Sequence, residues 1–164
     1  MMGVGKSTIG KKLANKLKVQ FVDVDSLIEK KEKNTIQKIF RGKGENYFRI
    51  IEKNITLEIL KKENQVIALG GGSFLNSAIR NQASKTSMSV WLDLNPKIIF
   101  NRVRDIKKRP LLNKENLEES INKIYSSRKK IYSLSNYKVV CDFLEIDQIV
   151  NKIIRFYEIS KNKI

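Results

Sequence analysis

Met2-Gly3-Val4-Gly5-Lys6-Ser7-Thr8 stands at the head of the chain and runs directly into a helical pattern. Ile9, Leu13, Ala14 and Leu17 recur at helical spacing through Thr8–Leu17. A Gly-x-Gly-Lys-Ser string opening an amphipathic helix has the form of the second half of a Walker A phosphate loop. Glycines let backbone N–H groups curl around a phosphate chain, and the helix N-terminus adds a favourable dipole. On this reading Gly3, Val4, Gly5, Lys6, Ser7 and Thr8 bind ATP. Lys6 reaches the β- and γ-phosphates, and the Ser7 hydroxyl is a ligand of Mg²⁺, a hard cation that takes oxygen. The plainer alternative is a Gly-rich turn capped by Ser7. The first glycine of a full G-x-x-x-x-G-K-[ST] loop would fall one residue before Met1, and no strand feeds the loop. A start upstream of Met1 is therefore expected.

Further along, short apolar runs alternate with longer amphipathic stretches. Gln20–Val24, Val66–Leu69, Met88–Leu92 and Lys138–Cys141 are strand candidates. Residues 45–62 carry Phe48, Ile51, Ile55 and Ile59 on one helical face, and Pro96 begins another helix where its missing N–H matters least. Residues 117–132 and 146–159 complete the set. Strand–helix alternation of this kind predicts an α/β fold with a parallel sheet flanked by helices.

Composition narrows the class. The 164 residues are one domain's worth, and 8 Gly and 2 Pro exclude collagenous and long disordered chains. The formal net charge is +16, which invites a nucleic-acid partner. The excess is mostly lysine, 25 Lys against 8 Arg, without aromatic interleaving, so a Lys-coated surface and a small anionic substrate fit better. There is no His, which removes imidazole bases and His metal sites. The single Cys141 lies in an apolar run and reads as core in a reducing cytoplasm. No apolar stretch approaches the ~18 residues of a membrane span.

Four more places carry chemistry. Asp23-Val24-Asp25 ends the first strand candidate, and period-two geometry puts both carboxylates on one side of it. One could hold the Mg²⁺ water shell and the other a hydroxyl, or Asp25 simply caps a helix starting at Ser26. Gly70-Gly71-Gly72 follows an apolar strand, either for close approach of a ligand or as an ordinary turn. Arg109-Pro110-Leu111-Leu112, after Lys107 and Lys108, is either a lid over phosphates or a solvated charge run. Arg49 and Arg128 are scarce arginines that either lie on the surface or grip a carboxylate with a fork that Lys lacks.

In order and spacing, Gly3–Thr8, Asp23–Asp25, Phe40–Arg49, Gly70–Gly72, Arg109–Leu112 and Arg128–Tyr132 together resemble the shikimate kinase family. The resemblance runs from residue 1 to about 155. It implies a single P-loop NTPase-like domain over 1–164 with a lid at about 106–117. It implies transfer of the ATP γ-phosphate to the 3-hydroxyl of shikimate, in a cytoplasmic monomer with no nucleic-acid or membrane partner. Position by position, it implies that Ser7 and Asp23 serve Mg²⁺ and that Asp25 binds the shikimate hydroxyls and acts as base. It assigns Arg49 and Arg128 to the shikimate carboxylate, and Gly71 with Gly70 and Gly72 to the substrate ring. Arg109 becomes the lid arginine on the ATP phosphates. Arg102 lies beside the adenine, with Arg104 as its stand-in, and the late nucleotide contact near Leu144 has no polar match. Another small-molecule kinase, a nucleic-acid binder and an inactive relative are the competing readings.

Overall fold

Four short strands carry the architecture: β1 (Gln20–Asp23), β2 (Gln65–Ala68), β3 (Val90–Asp93) and β4 (Tyr137–Val140). They come from a computed structural model that describes residues 1–103 and 116–161. β1 pairs in parallel with β2, Asp23 opposite Ala68, and β3 pairs in parallel with β4, Asp93 opposite Val140. Strand direction is as the sequence pattern predicts. The parallel pairing is laid out as two two-stranded ladders, and among the described residues no strand bonds β2 to β3.

Helices fill the intervals. α1 (Lys6–Leu17) packs against β1, β2 and the last helix, α7 (Ile146–Lys161). Its end is fixed by Lys18 in the left-handed region, whose N–H returns to Ala14 and Asn15 carbonyls. α2 (Val24–Glu32) follows β1 with no loop between them, since Asp23 closes the strand and also caps the helix, accepting from the Ser26 N–H at 3.3 Å. α3 (Ile36–Ile59) is broken at Gly44, where φ is 80°. A 3-10 turn at Ser73–Leu75 leads into α4 (Ser77–Thr86), capped by Asn76. α5 (Pro96–Arg102) starts on its proline as expected, and α6 (Leu117–Tyr132) matches its predicted span.

Two main apolar clusters result. One joins Val4, Ile9 and Leu13 to Trp91, Ile99, Ile121, Val139 and Val150, tying the phosphate loop to both ends of the chain. The other, Val24, Ile28, Ile39, Phe48, Ile55 and Ile59, sits between α2 and α3. Cys141 is buried in the first cluster, as its apolar neighbours suggest, and burial pushes its thiol up to about 11. Among the described residues no helix is long and apolar enough to cross a membrane.

Candidate active site

The phosphate loop is shaped by Gly5, which caps α1 with φ 89°, a left-handed conformation that side-chained residues resist. No side chain caps the helix there, which leaves its N-terminal end directed at the loop. Val4 is anchored in the core, and the Lys6 ammonium folds back to the Met1 carbonyl at 2.6 Å. Ser7 donates to Asp23 Oδ2 at 2.6 Å. Ser7 and Asp23 thus present two hard oxygens side by side at the start of α1 and the end of β1. That donor set fits a small divalent cation that fills its other positions with phosphate oxygens and water. Among the described residues no cluster of three or more Asp, Glu or Cys forms a self-sufficient metal cage.

Asp25 departs from the sequence reading. α2 begins at Val24, so Asp25 lies in the first helical turn rather than two residues along a strand from Asp23. The two carboxylates therefore do not share a strand face, and the cap is Asp23, not Asp25. The helix turns Asp25 toward the glycine loop. A Cβ added at Gly70 would come within 2.7 Å of Asp25 Oδ1, 2.5 Å of Glu52 Oε1 and 2.9 Å of Ser73 Oγ. Gly70 is where three polar side chains from α2, α3 and the 3-10 turn converge, and only a residue without a side chain leaves them room.

The two arginines flank the same loop and differ in their partners. Arg49 is held within its own helix by Glu45 at 3.0 Å and Glu52 at 2.6 Å. Burial lowers its pKa, but the Glu52 and Glu45 carboxylates outweigh that, and the net shift is upward. Its guanidinium occupies the space a Cβ on Gly72 would need. Glu52 is buried and completes its bonding with the Ser73 hydroxyl at 2.7 Å. Arg128, on α6, is only 8% exposed and makes no ion pair among the described residues. Its Nη1 donates to the Gly71 carbonyl at 2.8 Å. A buried cation without a carboxylate is costly unless an anion arrives to meet it.

Of the remaining site candidates, Arg102 ends α5 on the surface, close enough to Cys141 for its charge to act on the thiol. Arg104, Arg109 and the lid up to residue 115 lie outside the described residues. Glu52 and Ser73 are absent from the sequence reading. The Arg49–Glu52 spacing of three on a helix is a signal that could have found the first. Nothing local marks the second.

A phosphate loop on a helix N-terminus, a hydroxyl–carboxylate pair for a divalent cation and a buried arginine beside a glycine loop define a P-loop phosphotransferase. A sequence profile of the shikimate kinase family matches residues 2–158. Shikimate kinases of Sulfurihydrogenibium sp. and Persephonella marina are each 40% identical over 153 residues. Those matches span 93% of this chain and 91% and 92% of theirs. The structure of an Acinetobacter baumannii shikimate kinase in complex with shikimate superposes with a TM-score of 0.92 at 30% identity, covering 98% of this chain and 90% of that one. The Aquifex aeolicus shikimate kinase superposes with a TM-score of 0.84 at 36% identity, covering 96% and 92%. The chain belongs to the shikimate kinase family.

Proposed function

We propose that this chain phosphorylates shikimate at its 3-hydroxyl with ATP, and that the residues above divide the work as follows. The carrying observation is Arg128: a buried arginine with no carboxylate partner among the described residues, set against the glycine loop across from Arg49. The pair would hold the acceptor's carboxylate by fork-to-fork hydrogen bonds. Arg49 has to share its N–H groups between that carboxylate, Glu45 and Glu52.

Gly3–Thr8 would wrap the ATP phosphates with backbone N–H groups, and Lys6 would leave the Met1 carbonyl to reach the β- and γ-phosphates. Ser7 and Asp23 would hold Mg²⁺, whose chemistry when bound is to neutralise charge on the phosphate oxygens. Asp25 would receive the proton of the acceptor hydroxyl as that oxygen bonds to the γ-phosphorus and ADP leaves. Gly70, Gly71 and Gly72 would let the acceptor ring lie against bare backbone. Arg109 would close over the phosphates, and Arg102 would flank the adenine. The chain would act as a monomeric single domain over 1–164, with a lid at about 106–117. The one cysteine, buried and protonated, fits the cytoplasm.

The test is Arg49. Arg49→Ala should lower kcat/KM for shikimate roughly ten- to a hundredfold, the range of lost charged hydrogen bonds, while the ATP KM stays put. Arg49→Lys keeps the charge against Glu52 but loses the fork, and should fail similarly. Equal losses toward both substrates would remove Arg49 from the acceptor site.

A further inference from the structure

Two side chains on one face of α6 converge on a single backbone atom. Arg128 and Tyr132 are four residues apart, so successive turns present them to the same side. Arg128 Nη1 donates to the Gly71 carbonyl at 2.8 Å, and the Tyr132 hydroxyl donates to that same oxygen. A carbonyl oxygen has two lone pairs, so these two donors saturate it. The ring is buried, with its centroid 6.0 Å from that of Trp91, which leaves the phenol little freedom to swing. Burial raises the phenol's pKa, and Arg128, then Arg49, pull it part of the way back. The phenol therefore remains a protonated donor at neutral pH and lies within electrostatic reach of both arginines.

We propose that Tyr132 is a positioning residue for the acceptor: its hydroxyl fills the second lone pair of the Gly71 carbonyl and thereby leaves the Arg128 fork free for the acceptor's carboxylate. The inference rests on the reading that Arg128 binds that carboxylate. An arginine carries five N–H donors in a fixed fork, and a bidentate grip needs two of them parallel and uncommitted. Without the hydroxyl, the half-buried Gly71 carbonyl keeps an unfilled lone pair. Arg128, already bonded to that oxygen, can fill it with a second N–H. The guanidinium then turns onto the glycine loop and meets the carboxylate with one hydrogen bond instead of two. Because the ring itself stays, the apolar contact with Trp91 is unaffected.

Tyr132→Phe isolates the hydroxyl. Steady-state kinetics should be run with shikimate and with its carboxamide analogue, which has no carboxylate to grip. The expected result is a shikimate KM raised roughly three- to tenfold, the scale of one lost hydrogen bond at a charged group, with kcat and the ATP KM little changed. The KM for the carboxamide should be the same in both proteins. A shikimate KM that does not move overturns the proposal. So does an equal rise for shikimate and carboxamide, since the hydroxyl would then act on packing and not on the carboxylate. Fluorescence of Trp91, the only tryptophan, monitors the fold. Collapse of the variant's fold would likewise overturn the proposal, by making the hydroxyl structural. Turnover of shikimate by the unsubstituted protein in the same assay separates failure of this role from failure of the family activity.

Discussion

Asp23 ends β1 and Asp93 ends β3, in corresponding places on the two ladders, and their surroundings differ completely. Asp23 accepts from Ser7 at the mouth of the phosphate loop and from the Ser26 N–H, on the exposed side of the ladder end. Asp93 is 8% exposed and already closed off: Tyr125 donates to Oδ1 at 2.9 Å, and Lys138 sits at 2.8 Å from Oδ2 with its ammonium over the Trp91 ring. A carboxylate at the carboxyl edge of a parallel strand is well placed for a ligand. Whether it can serve one depends on what already occupies its oxygens. At the β1–β2 end the carboxylate of Asp23 meets only a hydroxyl and a backbone N–H, and Arg128 makes no ion pair among the described residues, whereas the β3–β4 end has spent its carboxylate on an ion pair and on holding α6 to the strands.

Substitutions can break this contrast, and the largest effect belongs to the open end. Asp25→Asn should lower kcat roughly a hundred- to ten-thousandfold, the usual contribution of a positioned general base, in a protein that still melts near the parent temperature. A variant that retains most of its kcat would reduce Asp25 to a binding group. At the closed end the outcome should invert. Asp93→Asn keeps an acceptor for Tyr125 but loses the charge facing Lys138. It should cost stability by about 1–3 kcal/mol and leave kcat almost unchanged at a temperature where the variant is folded. If Asp93→Asn abolished turnover in folded protein, the two strand ends would be alike after all.

The contrast also separates what a sequence can disclose from what it cannot. Gly-x-Gly-Lys-Ser at a helix start is legible because backbone curvature, a reaching ammonium and a metal-directed hydroxyl are needed in that order and spacing. The four strands are legible as β-branched and aromatic runs, each within two residues of its final bounds. α2 is not, because Asp23 is both the last strand residue and the helix cap, so alternation reads on into Val24 and Asp25 with no break to stop it. α4 escapes because Ser77–Thr86 carries few apolar residues at helical spacing, and its clearest start signal is Asn76. The Glu52–Ser73 hydrogen bond joins residues 21 apart, which no periodicity connects. In a chain with 33 Lys and Arg, charge alone also does not single out Arg128, an arginine that is buried and makes no ion pair among the described residues. That requires knowing where every neighbouring carboxylate points.

The smallest expected effect, and the sharpest on the closed end, is in alkali. Burial, then the hydrogen bond to Asp93, pushes the Tyr125 phenol up to about 12 from an unfolded value of 10.0. The folded state therefore holds this proton more tightly than the unfolded chain does. The resulting stability is fully present below pH 10, and it drains away as pH rises from 10 toward 12, because the unfolded chain ionises first. Cys141, raised from 9.0 to about 11, acts in the same direction over a window one unit lower. Urea unfolding measured from pH 8 to 11.5 should thus show stability falling from about pH 9, in two overlapping steps. Tyr125→Phe should leave the lower step and flatten the upper one by no more than one proton's worth of slope. An upper step of undiminished size in the Phe variant would mean that Asp93 does not bind Tyr125 tightly in solution. The closed strand end would then have a free carboxylate oxygen, and its difference from the Asp23 end would shrink to the Lys138 ion pair alone.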